Sequence, residues 1–351
     1  MGFFDMSREL SDREKEVLSV VVEGFIETGS AVGSRYVSKK SKLNLSPATM
    51  RNIMADLTDM GYLKQPHTSA GRLPSQKGLK YYLSYVFKPQ PIFKEKEKIK
   101  KYFDSTMGYE FSELLEMTSK FISNETKLVG IVISPPVSFM RWKHIDFVLV
   151  KQGLVLAILV FEGGMVHNRL VSLEHTNITN DDLTKFSNYL NEKFSGKSLY
   201  EVKKIIKKEI EDASNKFNEL YLSALKLAKY TCDSEDEREI FVEGAHKVIE
   251  ETQLKDIERM KNLLKFIEER GELLKILEKI EQGEGIFIAF GNELFGSELE
   301  EWTIISSPYG LEDESTGIIG TIGPLNVDYS KLIPLVDYIA KMLNRILETR
   351  L

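Results

Sequence analysis

Residues 46 to 74, SPATMRNIMADLTDMGYLKQPHTSAGRLP, decide the fold of the N-terminal part of this chain. They begin with the signals of a helix start, because Ser46 can cap the first turn and Pro47 suits the first helical position. Four apolar residues then recur at helical spacing: Met50, Ile53, Met54 and Leu57. Gly61 supplies a helix stop, after which YLKQP and RLP predict two short strands around the small-residue tip HTSAG. The stretch therefore predicts a helix followed by a β-hairpin.

Two further helices are predicted before this stretch. Ser11 and Glu14 have the spacing of a capping box, and the apolar pattern that follows continues at helical period to Gly29. A short second helix is predicted from Ser34 to about Lys40. Three helices followed by a basic hairpin are typical of a winged helix, in which the third helix enters the major groove of DNA.

Charge is distributed unevenly along the chain. The net charge of the whole chain is -6, yet residues 33–90 hold ten lysines and arginines against two aspartates, a net +8 that leaves -14 for the rest. Because lysine and arginine displace the counterions condensed on phosphates, a basic module on an acidic body favours a nucleic-acid partner. The alternatives are a solvated basic surface and a winged helix that binds protein.

The predicted third helix carries small and polar residues on the face opposite its apolar stripe. Small side chains let a helix approach the floor of the major groove, and arginine and asparagine can pair with purine edges. Arg72, next to Gly71 in the hairpin, is expected to reach a minor groove or the DNA backbone. The predicted DNA-binding residues are Arg35, Lys39, Lys40, Ser46, Ala48, Thr49, Arg51, Asn52, His67, Ser69, Arg72 and Lys77.

Residues 46–83 closely resemble the HrcA family of bacterial heat-shock repressors, in the pattern that runs from Ser-x-x-Thr through Gly-Tyr-Leu to Pro-His-Thr-Ser-Ala-Gly-Arg. SPP at 134–136, GGMVHNRLV at 163–171 and IIGTIGP at 318–324 extend the resemblance over nearly the whole chain. One departure is PLNVDY at 324–329, where the family usually has Pro-Thr-Arg-Met-Asp-Tyr. A ligand role of that loop in relatives is therefore not transferred to this chain.

The resemblance implies an α+β multidomain protein. Its expected parts are a winged-helix DNA-binding domain at 1–90, a GAF-like α/β domain at 91–138 and 232–351, and an inserted dimerisation domain at 139–231 with a three-stranded antiparallel sheet and helices. The implied partners are double-stranded DNA carrying an inverted-repeat operator (CIRCE) upstream of chaperone operons, a second copy of the chain in a homodimer, and a GroE-type chaperonin. No cofactor or metal is implied.

The residues of the body give a compatible pattern by themselves. LVGIVIS at 128–134 predicts a buried strand, and three more strands are predicted near 142–151, 153–162 and 164–173 with glycine turns between them. Residues 179–228 are predicted to be helical. Three further strands are predicted at GIFIAF, WTIISS and GIIGTIG, before a final helix over 329–347. A single large α/β body fits this pattern as well as a GAF-like domain with an insertion.

Other classes of protein are less favoured by the sequence. The single cysteine, Cys232, excludes an internal disulfide and favours a reducing compartment, so a cytoplasmic location is expected. The most apolar segment, 145–161, is interrupted by Lys151 and Gly153 and predicts a hairpin rather than a membrane span. The five histidines lack metal-ligand spacing, and no catalytic constellation is present. Two alternatives stay open: a small-molecule sensor whose body controls the winged helix, and an enzyme that uses the winged helix for docking.

Overall fold

The computed structural model covers most of the chain in describable detail. The described residues are 10–67, 70–89, 93–106, 108–172, 178–212, 219–232, 238–251, 257–269, 274, 285–291, 299–311 and 315–349.

The N-terminal module consists of three helices, a two-stranded pair and a fourth short helix. They are α1 (Asp12–Thr28), α2 (Ser34–Lys40), α3 (Pro47–Asp59), β1 (Leu63–Lys64), β2 (Leu73–Pro74) and α4 (Gln76–Tyr81). Ser11 and Glu14 form both halves of the capping box of α1, and the Ser46 hydroxyl accepts a hydrogen bond from the Thr49 backbone N–H. The three predicted helices are confirmed.

The predicted strands of the hairpin are shorter than expected. Only Leu63 and Lys64 pair, with Pro74 and Leu73 respectively, in an antiparallel register. Pro66 has no backbone N–H to donate, which prevents the first strand from continuing its ladder as YLKQP would require. The hairpin is therefore a short pair of strands with a long tip.

The core of the module joins α1 to α3. Six apolar residues of these two helices are at most 3% exposed: Val17, Leu18, Val21, Met50, Met54 and Leu57. Burial of a side chain of this size contributes roughly 1.5–3 kcal/mol. The apolar stripe of α3 therefore faces α1, and the opposite side of α3 is left towards solvent.

α4 passes directly into a π-helix, Tyr82–Val86, which leads to the body of the protein. The body begins with α5 (Phe93–Asp104) and α6 (Phe111–Thr126), followed by the fully buried strand β3 (Val129–Ile133) that the sequence predicted.

A three-stranded antiparallel sheet and three helices follow β3 in the chain. The strands are β4 (Trp142–Lys151), β5 (Leu154–Phe161) and β6 (Val166–Ser172), in the order β4-β5-β6. Gly153, Gly163 and Gly164 have positive φ at the two turns between them. The predicted meander is confirmed.

Within its described residues, the region predicted as helical over 179–228 contains three helices. They are α7 (Asn180–Phe194), α8 (Leu199–Asp212) and α9 (Glu219–Cys232). The chain turns at Gly196, whose φ is +78°, and the Ser198 hydroxyl accepts from the Glu201 N–H at 3.3 Å to start α8. The polar segment SGKS at 195–198 is a turn with a helix cap.

The chain then returns to the sheet that contains β3. β7 (Ile240–Glu243) pairs antiparallel with β3, with Gly130 opposite Glu243. The sequence did not predict β7, because four residues are too few to show a period. After β7 come α10 (Ala245–Glu251) and α11 (Ile257–Glu268).

Three more strands complete a five-stranded antiparallel sheet. β8 (Phe287–Phe290), β9 (Trp302–Leu311) and β10 (Ser315–Pro324) give the order β7-β3-β10-β9-β8. The last helix, α12 (Tyr329–Thr349), packs on β9 and on α5. The fold is thus a mixed arrangement of helices and antiparallel sheets. Among the described helices, none combines the length and the apolar character that crossing a bilayer requires.

Candidate nucleic-acid interface

The turn between α2 and α3 is held by side chains on both sides. The Ser38 hydroxyl donates to the Leu45 carbonyl at 2.7 Å, and the Lys42 backbone N–H donates to the Glu16 carboxylate of α1 at 2.9 Å. Asn44 adopts a φ of +51°, a conformation that asparagine tolerates better than most residues. These contacts fix the direction in which α3 leaves the turn.

The first two turns of α3 present an uninterrupted polar and small surface. Met50 is buried, whereas the predicted DNA-binding residues of this segment are all exposed: Ser46, Ala48, Thr49, Arg51 and Asn52. No acidic residue lies in the first turn of α3, and the exposed Asp56 and Asp59 come later in the helix. Because a helix N-terminus carries partial positive charge, this end of α3 suits an anion such as a phosphate.

The basic residues of α2 lie beside this surface, because α2 packs on α3. Arg35, Lys39 and Lys40 are exposed, and the Lys40 ammonium lies 5.8 Å from the centre of the Tyr36 ring. The Tyr36 hydroxyl donates to Glu27 of α1 at 2.8 Å, and this hydrogen bond is the main cause that raises the pKa of Tyr36 above its ordinary value. Tyr36 therefore stays neutral and anchors α2 to α1, while the three basic side chains remain accessible.

The tip of the hairpin is partly described. His67 is exposed, and its carbonyl accepts from the Ala70 N–H at 2.9 Å, which closes the turn. Ser69, the other residue predicted at the tip, lies outside the described residues.

The base of the hairpin is fastened to the segment between α1 and α2. The Val32 N–H donates to the Arg72 carbonyl at 2.8 Å, and the Arg72 N–H donates to the Val32 carbonyl at 2.9 Å. A Cβ atom on Gly71 would lie 2.3 Å from the Val32 carbonyl oxygen, so glycine is required for this approach. The sequence did not predict this pairing of Val32 with Arg72, since Val32 stands alone between two glycine turns. Gly71 was the only residue whose type pointed to a close backbone approach.

Arg72 and Lys77, both predicted to bind DNA, also make contacts with the C-terminal part of α3. Arg72 is half-buried, and its Nε donates to the Thr58 hydroxyl of α3 at 3.0 Å. Lys77 is exposed, but its Nζ donates to the Met60 carbonyl at 2.9 Å and lies 4.3 Å from the centre of the Tyr62 ring. Both side chains therefore connect the hairpin and α4 to the C-terminal end of α3. Thr58 is a partner that sequence reasoning missed.

The family profile and the relatives that match this chain carry the same family name. Residues 112–333 match the family profile described as "HrcA protein C terminal domain". A "Heat-inducible transcription repressor HrcA" from Syntrophobacter fumaroxidans is 36% identical over 343 residues, covering 97% of this chain and 98% of that protein. The protein of the same name from Geobacter sulfurreducens is 36% identical over 341 residues, covering 97% of this chain and 99% of the relative.

A solved structure described only as that of a hypothetical protein has a similar fold. Its TM-score is 0.58 at 21% sequence identity, and the match covers 98% of this chain and 100% of the other. At that identity the similarity concerns the fold alone.

Proposed function

The chain belongs to the HrcA family of heat-inducible transcription repressors, and from that premise we propose that its N-terminal module is a winged helix that reads an inverted-repeat operator. As a member of this family the protein is a transcriptional regulator of the heat-shock response and not an enzyme, and DNA is its partner. The observation that carries the proposal is the polar first half of α3, exposed within a segment, residues 33–90, of net charge +8.

In this proposal α3 is the recognition helix. Ala48 and Thr49 have small side chains, which let the backbone come near base edges, and Asn52 can form a paired hydrogen bond with adenine. Arg51, one residue earlier, can pair with guanine in the same way. Each such pair discriminates against the wrong base by roughly 1–3 kcal/mol. The acidic residues of α3 lie in its second half, so only the N-terminal half approaches the DNA.

The remaining predicted residues bind phosphates in the proposal. Arg35, Lys39 and Lys40 on α2 are exposed and positively charged, and His67 stands at the tip of the hairpin. Contacts of this type fix the register of a protein on the duplex without reading its sequence. Ser69 belongs to this set on the sequence prediction alone. Arg72 and Lys77 contribute charge near the DNA and also hold α3 against the hairpin.

A homodimer is supported by the free face of the three-stranded sheet. Val148, Leu156 and Leu170 face each other across β4, β5 and β6, and Val148 and Leu170 are 47% and 59% exposed. Val166, at the other end of β6, is 51% exposed. An apolar surface of this kind marks a protein interface. A two-fold dimer formed here would match the two-fold symmetry of an inverted repeat.

The domain limits are proposed on the path of the chain. The segment 139–231 begins after β3 and ends before β7. These two strands are neighbours in one sheet. This path is what an insertion into a pre-existing domain requires. We therefore assign 139–231 to an inserted dimerisation domain, 91–138 with 232–351 to a GAF-like domain, and 1–90 to the winged helix. A GroE-type chaperonin as partner and a cytoplasmic location, where a repressor meets the chromosome, belong to the same proposal.

A ligand-sensing body is the second candidate, and one cavity favours it. The cavity has a volume of about 600 Å³ and is lined by Glu116, Glu268 and the four residues of β7 together with Ile267. Three carboxylates line it, and a cationic molecule would compete with Lys120, which pairs with Glu116 and Glu243. A rise in the melting temperature of the full chain with such a ligand would support a sensor. No rise across a panel of polyamines and amino-acid amides would argue against a sensor of cationic ligands.

Gel-shift measurements with two duplexes test the principal proposal. One duplex carries the CIRCE inverted repeat, and the other has the same base composition in scrambled order. Sequence-specific DNA-binding proteins bind their sites more tightly than non-specific DNA by at least about 10³-fold. Equal affinity for both duplexes would reject sequence-specific recognition.

A further inference from the structure

The DNA-binding module touches the body of the protein through side chains. The Gln76 side-chain amide, at the start of α4, donates to the backbone carbonyl of Glu300 at 3.0 Å. A Cβ atom on Gly29, at the end of α1, would lie 2.9 Å from the Asn326 side-chain nitrogen. Asn326 lies in the loop between β10 and α12 and therefore packs directly on the Gly29 backbone. Two elements of the module are thus in contact with the body at once.

The π-helix that joins the two parts is itself held against α1 of the module. The Tyr82 hydroxyl donates to Glu23 of α1 at 3.3 Å, and Tyr82 is 8% exposed. Burial raises the pKa of Tyr82 to about 12, with smaller contributions from the carboxylates of Glu23 and Asp328. Asp328 belongs to the same loop as Asn326. The loop 325–328 therefore packs on the end of α1 through Asn326, and its Asp328 carboxylate is close enough to act on the Tyr82 hydroxyl.

These contacts leave the reading surface free. Arg51 and Asn52 are exposed in the whole chain, so the body does not cover the first half of α3. The Gln76 and Asn326 contacts are made instead by α4 and by the C-terminal end of α1. A contact that held the repressor inactive by masking would have to cover α3. This arrangement is suited to orientation and not to inhibition.

We propose that Gln76 and Asn326 are positioning residues that lock the DNA-binding module onto the body and thereby set the spacing between half-sites that the dimer accepts. The inference rests on the proposed dimeric repressor. The two α3 helices of a dimer are connected only through their bodies, so their separation is defined only if each module is held rigidly. A module attached by a flexible connection would still bind one half-site, but it would tolerate many spacings.

Glycine is required at position 29 for two reasons. Its φ of +65° is in the left-handed region, which favours glycine at the end of a helix. It also leaves room for Asn326, as a side chain there would collide with the Asn326 amide. The Gln76 contact has no such backbone requirement, so it can be removed without disturbing a helix end.

The test uses the full-length double variant Gln76→Ala/Asn326→Ala, with Asn124→Ala as the matched control. Asn124 also uses its side-chain amide, but accepts from Lys247 within the body. Dissociation constants are measured for four duplexes: the CIRCE inverted repeat, the repeat with its spacer lengthened by about half a helical turn of 10.5 base pairs, a single half-site, and scrambled DNA. Circular dichroism and the melting temperature check the fold of every variant.

For the wild type and Asn124→Ala we expect the altered spacer to weaken binding by at least about 10-fold, because one half-site is then turned away. For the double variant we expect an unchanged single half-site constant and a spacer penalty reduced to about 3-fold or less, with weaker binding of the correct repeat. A folded double variant with the spacer penalty of the wild type would overturn the inference. A wild type that does not prefer the repeat over scrambled DNA would instead overturn the proposed function.

Discussion

Gly71→Ala should detach the hairpin from the rest of the DNA-binding module. The new methyl group would lie 2.3 Å from the Val32 carbonyl oxygen, whereas non-bonded heavy atoms prefer a separation of roughly 3.5 Å. The contact is with backbone, so no side-chain rotation relieves it. The segment around Val32 and the hairpin must move apart by about an ångström, which breaks the paired hydrogen bonds between Val32 and Arg72.

The magnitude follows from those two bonds. They are 2.8 and 2.9 Å long, and each hydrogen bond of this type stabilises a fold by about 0.5–1.5 kcal/mol. The expected loss is therefore about 1–3 kcal/mol of local stability, or a rise in the local opening equilibrium of roughly 5- to 150-fold, since a factor of ten corresponds to about 1.4 kcal/mol. Gly71 has no positive φ, so the effect is steric and not conformational.

Amide hydrogen exchange is the suitable assay, because it reports local opening in a protein of several domains. The amides of Val32 and Arg72 should exchange faster in Gly71→Ala by the factor above. Gly33→Ala is the matched control, since a Cβ atom there meets nothing within 4 Å. Affinity for specific and scrambled DNA should fall together, as the hairpin tip loses its place beside α3. Unchanged protection of both amides in Gly71→Ala would refute the reasoning.

Three further outcomes are expected from the site and the dimer. Arg51→Ala and Asn52→Ala should each cost about 1–3 kcal/mol with the CIRCE repeat and much less with scrambled DNA; an unchanged ratio of the two affinities in a folded variant would show that α3 is not the reader. Lys77→Ala should weaken both duplexes evenly and reduce the slope of log affinity against log salt by about 1, and a loss confined to the specific duplex would contradict a phosphate role. Leu170→Asp should turn the dimer into a monomer in sedimentation, because it places a carboxylate in the apolar face, whereas Tyr200→Asp, at a similarly exposed position on α8, should not; a dimeric Leu170→Asp would place the interface elsewhere.

Local signals in the sequence were sufficient for the helices of the DNA-binding module. Ser11 with Glu14, and Ser46 with Pro47, act over three residues or fewer. The starts of α1 and α3 are therefore decided by residues that are close together in the sequence. The strands of the meander were predictable for the same reason, as their turns depend on single glycines such as Gly153 with a positive φ.

Contacts between distant parts of the chain were not predictable in this way. The exposed first half of α3 followed from helical period, so the reading residues Arg51 and Asn52 could be named from sequence, but the roles of Arg72 and Lys77 could not. Both look like free cations in the sequence; only the folded chain brings Thr58 to Arg72 and the Met60 carbonyl to Lys77.

The same distinction applies to the joints of the molecule. Val32 and Gly71, β3 and β7, and Gly29 and Asn326 are separated by tens to hundreds of residues, and their meeting depends on how whole elements pack. Sequence by itself determined where helices and turns begin, because those choices are made by neighbours along the chain. Tertiary structure alone decided which surfaces are joined and which stay free, because an approach of two backbones depends on packing that no local pattern encodes.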